Sequence, residues 1–120
     1  MSNWGGVKRR PADILFSKYL RKEHNYTCDV CHTRHEPNSK NLGVSHFWPR
    51  SYESTRFDER QDVLCNIPCH QYFEEHRMEY EAWKLERMGK QEYNKFMLEA
   101  HIPKKKDDAK ILLWLKNIKK

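Results

Sequence analysis

The sequence contains no long uninterrupted apolar run, so nothing in it reads as a membrane span. Its first residues, MSNWGGVKRR, carry charge but lack the apolar stretch and small-residue ending of a secretory signal, so the expected location is the cytoplasm. Internal repeats and low-complexity segments are missing too, which removes repeat arrays and biased linkers from consideration. What remains is a chain of 120 residues, 38% apolar and 33% charged, with room for one domain over 1–120 and a modest core. A chain of this size gains from a staple as well as from burial.

Charge is unbalanced in one direction. Lysine and arginine number 23 against 17 acidic residues, a formal +6 at pH 7. The excess gathers at residues 8–10, 104–106 and 116–120. Such a balance suits a polyanionic partner, although basic termini also serve solubility alone.

Four cysteines supply the strongest local signal. Cys28 and Cys31 are separated by two residues, Cys65 and Cys69 by three, and the pairs lie far apart in the chain. Each close pair offers two sulfurs from one short turn, and two turns complete the tetrahedron that zinc prefers. Without an export signal, a reducing compartment disfavours disulfides and leaves metal binding as the natural use of paired thiols. A redox dithiol at Cys28 and Cys31 is the competing reading, but it leaves the second pair unexplained. His32 and His35 follow the first pair and are alternative ligands or solvated loop histidines.

Along the chain, Pro11 followed by Ile14, Leu15, Tyr19 and Leu20 predicts an N-terminal helix over about 11–25. Residues 36–40 have loop chemistry, and residues 43–48, β-branched and aromatic and closed by Pro49, predict a strand. Beyond Cys69, helical spacing runs through Tyr72, Phe73, Tyr80 and Trp83 to Gly89, broken at most once. A second face carries Tyr93, Phe96 and Met97. A third, capped by Asp107 or Asp108, carries Ile111, Leu112, Trp114, Leu115 and Ile118. Aromatic stripes of this kind serve a core more often than a base-stacking platform.

Read in order, CDVC, SHFWPRSYESTRFDERQD and LCNIPCH resemble the HNH endonucleases with a ββα-metal fold, and more narrowly the phage NinG-like recombination proteins. The matching stretch is about 26–80, with weaker similarity through 79–87 and 104–108. The resemblance implies an α+β fold, a small ββα-metal core with a structural zinc site made by the four cysteines. An N-terminal helix and a C-terminal helical extension over about 81–120 would flank it. It further implies a metal-dependent DNA endonuclease in which His46 is the general base and His70 holds a catalytic Mg2+ or Mn2+. Imidazole suits the first role because it accepts a proton near neutral pH. The cation suits the second because it neutralises phosphate charge. Branched recombination intermediates are a candidate substrate, and the sequence carries no indication of oligomeric state.

Two positions depart from the family pattern. Its middle asparagine, which ties the loop to the hairpin, falls on Gln61 or on Arg60 according to which cysteine the count starts from, because the second pair has an extra spacer residue. Ser45 stands before the base where many members carry a metal ligand, so the ion would turn to water, phosphate oxygens, Asp62 or Glu74. These departures keep open a catalytically weakened, zinc-stabilised DNA-binding module. Arg50, Arg56 and Arg60 lie between base and zinc turn, where their guanidinium forks are expected to seize DNA phosphates unless they pair with Asp58 or Glu59. His24, His76 and His101 receive no role.

Overall fold

The computed structural model describes residues 9–49, 51–104 and 107–118, with Ile118 described by its backbone alone; Arg50, Lys105 and Lys106 lie outside the described residues. The fold is α+β, with five α-helices and one two-stranded sheet among those residues. Helix α1 spans Pro11–Glu23, β1 Leu42–Ser45, β2 Asp62–Cys65, α2 Gln71–Glu75, α3 Arg77–Met88, α4 Lys90–Ala100 and α5 Asp108–Ile118.

Helix α1 starts where proline loses nothing by lacking an N–H, and the Asp13 carboxylate accepts from the Arg10 amide at 2.7 Å. Ala12, Phe16 and Leu20, four residues apart, form its buried stripe. The helix stops at Glu23, two residues short of the expected end. Asn25 and Tyr26 take φ of 54° and 53°, a left-handed pair that cannot continue a right-handed helix.

The predicted strand over 43–48 is shorter and shifted in the structure. Strand β1 pairs antiparallel with β2 in the register Leu42↔Cys65, Gly43↔Leu64, Val44↔Val63 and Ser45↔Asp62, and His46 lies just beyond the last pair. Leu42, Val44, Val63 and Leu64 are buried. Helix α1 packs on β1 and on α5, and α3 packs on α4.

The long helical pattern after Cys69 divides at His76 (φ −133°, ψ 66°) into α2 and α3. Gly89 then separates α3 from α4 at φ +84°, a conformation that side chains disfavour. Asp107 caps α5, its carboxylate accepting from the Lys110 amide at 3.3 Å. The aromatic stripes are core. The Phe47 ring lies edge-on to Tyr80 at 4.8 Å, Trp48 at 4.9 Å and Tyr93 at 5.8 Å. Among the described residues no helix is long and apolar enough to cross a membrane.

Candidate functional site

The two thiol turns are brought together by main-chain bonds. Residues 27–34 form a small loop closed by a Thr27–Arg34 bridge, and its tip is tied to β2 because the Asp29 amide donates to the Val63 carbonyl at 2.8 Å. The Val63 amide in turn donates to the Asp29 carboxylate at 2.9 Å. On the other side, Asn41 organises the longer Cys65–Cys69 spacer. Its side chain accepts from the Ile67 amide at 3.0 Å and donates to the Ile67 carbonyl at 3.2 Å. Sequence reasoning passed over Asn41, because nothing local distinguishes it from other loop asparagines.

The ligand atoms of Cys28, Cys31, Cys65 and Cys69 all lie within 4.8 Å of one another, a cluster that could hold a metal ion such as zinc. The Cys31 and Cys65 sulfurs are 3.9 Å apart. Zinc–sulfur bonds of about 2.3 Å in a tetrahedron put sulfurs about 3.8 Å apart, so the donor set fits. The spacing is far from that of a disulfide, and all four cysteines are free. His32 and His35 are not in the cluster. Hydrogen bonding by Thr33 lowers the Cys31 thiol to about 6, whereas burial pushes Cys65 and Cys69 up. A cation arriving at the cluster therefore displaces protons from the second pair.

Around His46 the structure builds a clamp. The His46 Nε2–H donates to the Arg56 carbonyl at 3.0 Å, which orients the ring. The next residue is held by Gln61, whose Oε1 accepts from the Phe47 amide at 2.7 Å while Nε2 donates to the Thr55 carbonyl at 2.8 Å. Of the two positions the count left open, it is Gln61 that ties loop to hairpin. Gln61→Ala leaves the buried Phe47 amide and Thr55 carbonyl without this partner. It should cost about 1–3 kcal/mol, read as a lower denaturation midpoint.

Arg56 is not at the surface. It is 3% exposed, and its guanidinium grips Asp13 of α1 through Nε at 3.0 Å and Nη2 at 2.6 Å. Arg60 donates to Asp58 through Nε at 2.8 Å, also pairs with Glu99, and stacks over the Phe96 ring at 4.6 Å. These two do not present open forks, because carboxylates of the chain already occupy them, for Arg60 through the pairing with Asp58 that the sequence left open. Arg50 lies outside the described residues. Arg56→Ala abandons a buried carboxylate and should destabilise the fold by about 3–5 kcal/mol in chemical denaturation.

His70 ends the turn that leads into α2 and is buried. A chain of hydrogen bonds runs inward from it. His70 Nδ1 is 3.1 Å from the Ser45 hydroxyl, which is 2.9 Å from the Tyr80 hydroxyl, which donates to Asp62 at 3.2 Å. Lys84 donates to the other Asp62 oxygen at 3.0 Å. Burial pushes the Asp62 carboxyl up and the Lys84 ammonium down, each opposed by its partner's charge. Burial also holds Tyr80 well above the ordinary phenol range, so Tyr80 keeps its proton and spends it on Asp62. Ser45 must then donate to Tyr80 and accept from His70 Nδ1–H. Nε2 is 3.4 Å from the Glu74 carboxylate. Asp62, considered for the ion from sequence, is instead committed to Lys84 and Tyr80.

Ser45 and Phe47 both turn to Tyr80, whereas His46, between them, turns to α1, its ring 6.4 Å from Phe16. Here it lines a cleft of about 350 Å³ together with Arg9, Asp13, Arg21 and Lys40. Sequence reasoning missed Arg21 and Lys40, which stand outside every motif. The unassigned histidines have structural partners: His24 pairs with Asp29 at 2.9 Å, His76 stacks on Tyr72, and His101 packs on Trp48. No protein-family model, curated protein or solved structure matches the chain.

Proposed function

We propose that the protein is a metal-dependent DNA endonuclease of the HNH type, with zinc at the four cysteines as a structural fastening. The observation that carries the reading is the clamp on His46. Its Nε2 is committed to the Arg56 carbonyl while Gln61 pins the neighbouring amide, so the ring is held in one orientation. A general base has to be held in one place, and the loop's hold on the ring supports that role. His70 Nε2 and the Glu74 carboxylate are the residues that would hold Mg2+ or Mn2+, with water and phosphate oxygens completing the shell. Such a cation supplies charge neutralisation at the phosphate. The hairpin β1–β2 followed by α2, with His46 just beyond β1 and His70 just before α2, supports the reading.

A second reading is favoured by two observations. The Ser45 hydroxyl is spent on Tyr80 and His70. Among the described residues the four cysteines are also the one group of three or more His, Cys, Asp or Glu that could hold a metal. A zinc-stabilised DNA-binding module without catalysis has both features. The deciding experiment is a cleavage assay on linear, single-stranded and branched DNA with magnesium and with manganese. Metal-dependent cleavage is the expected result; salt-sensitive binding with no cleavage under any divalent cation establishes the module instead.

A further inference from the structure

We infer that the cleft between α1, the loop at 38–40 and β1 is the seat of a DNA phosphodiester, gripped by Arg21 and Lys40 with Arg9 at its rim. DNA as the polyanion rests on the function proposed above; the cleft's preference for a phosphate does not.

The lining is one-sided in charge. Three cations, Arg9, Arg21 and Lys40, face a single carboxylate, Asp13. That carboxylate is already matched, one oxygen by Arg56 Nε and the other by Arg56 Nη2 and the Arg10 amide. The positive charge of the other three is therefore not cancelled by Asp13. Arg21 shows the cost: its charged form is disfavoured by burial and then by the nearby Arg9. Its guanidinium is held in place by the Ser17 carbonyl at 3.2 Å and the Pro37 carbonyl at 3.3 Å, neutral acceptors that orient it without neutralising it. Like charges fixed side by side in a concave site are relieved by an anion.

The shape fits a strand's backbone. About 350 Å³ is at the small end of ligand sites and admits a phosphate with part of its sugar. Leu42, Gly43 and Val44 of β1 line the cleft together with His46, so the grip and the candidate base share one cavity. The gripping residues therefore take the role that Arg56 and Arg60, bound internally, do not fill. Two guanidiniums and an ammonium aimed at backbone charge predict affinity with little dependence on base sequence.

The test is fluorescence anisotropy of a labelled duplex with zinc-loaded full-length protein and no magnesium or manganese, over a range of salt. Arg21→Gln and Lys40→Gln should each lower the slope of log affinity against log salt by about one, and weaken binding about fivefold at 0.15 M salt. Arg21→Lys and Lys40→Arg should restore most of both. Lys95→Gln, the same charge change on the exposed side of α4, should leave them as in the wild type. Thermal midpoints identify any variant that has lost its fold, and the conservative pair then carries the comparison. Unchanged slopes in both glutamine variants overturn the assignment, as does weakened binding of inorganic phosphate with unaltered DNA affinity. Cleavage is not read, so a protein that binds through the cleft but never cuts sinks the nuclease reading alone.

Discussion

Replacing His46 with alanine is expected to slow DNA cleavage by about 10²–10⁴-fold, the range that a positioned general base contributes. Binding and zinc content should be retained. The ring is partly exposed, packs on Phe16, and donates to the Arg56 carbonyl. Losing that donor costs about 1 kcal/mol, small against the stability of a domain. The fold should therefore survive while the chemistry does not, and the comparison of single-turnover rate with denaturation midpoint separates the two. A variant that cuts at the wild-type rate removes His46 from the mechanism. His46 lines the same cleft as Arg21 and Lys40, so part of any affinity change would come from the lining, which is why the rate after saturation is the quantity to compare.

Stripping the metal is expected to have the larger structural effect. One zinc per chain should be found by elemental analysis. A strong chelator, or Cys28→Ser, should abolish cooperative unfolding. The cluster joins the turn at 28–31 to the end of β2 and the turn before α2. Structural zinc in small domains supplies apparent binding free energy of about 10–16 kcal/mol, comparable with the whole stability of a domain at about 5–15 kcal/mol. The pH dependence has a definite sign. Thr33 lowers Cys31 to about 6, but burial raises Cys65 and Cys69, so near neutral pH the second pair must surrender protons when zinc binds. Zinc affinity therefore falls as pH falls, and competition against a chelator at pH 6 and pH 8 measures it. A metal-free protein that unfolds at the same midpoint removes zinc from the architecture.

Those two experiments fail independently. A protein that loses its fold without zinc yet never cuts DNA is the binding module, and the clamp of Gln61 on the hairpin is then a structural tie. A protein that cuts without zinc would place the chemistry of His46 on a fold that needs no fastening.

Features set by near neighbours in the chain were legible from sequence. The two cysteine pairs, the proline that opens α1, the aspartate that caps α5 and the glycine that separates α3 from α4 each act within one or two turns. Their physical cause is short-range: ligand reach, a missing N–H, an orphan amide, a permitted φ. The strand's exact pairs were less legible, because a run such as 43–48 shows β-propensity but not where its partner begins.

What only the tertiary structure decided is which charges are spent. Arg56 and Arg60 read like phosphate forks until Asp13, 43 residues away, and Glu99, 39 residues away, are folded against them. Ser45 reads as a defect until Tyr80 and His70 close on it from α3 and the turn before α2. Arg21 and Lys40 stand outside every motif, and only α1 lying across β1 brings them into a cleft with His46. Electrostatic partnership depends on distance through space, and a linear sequence carries only distance along the chain.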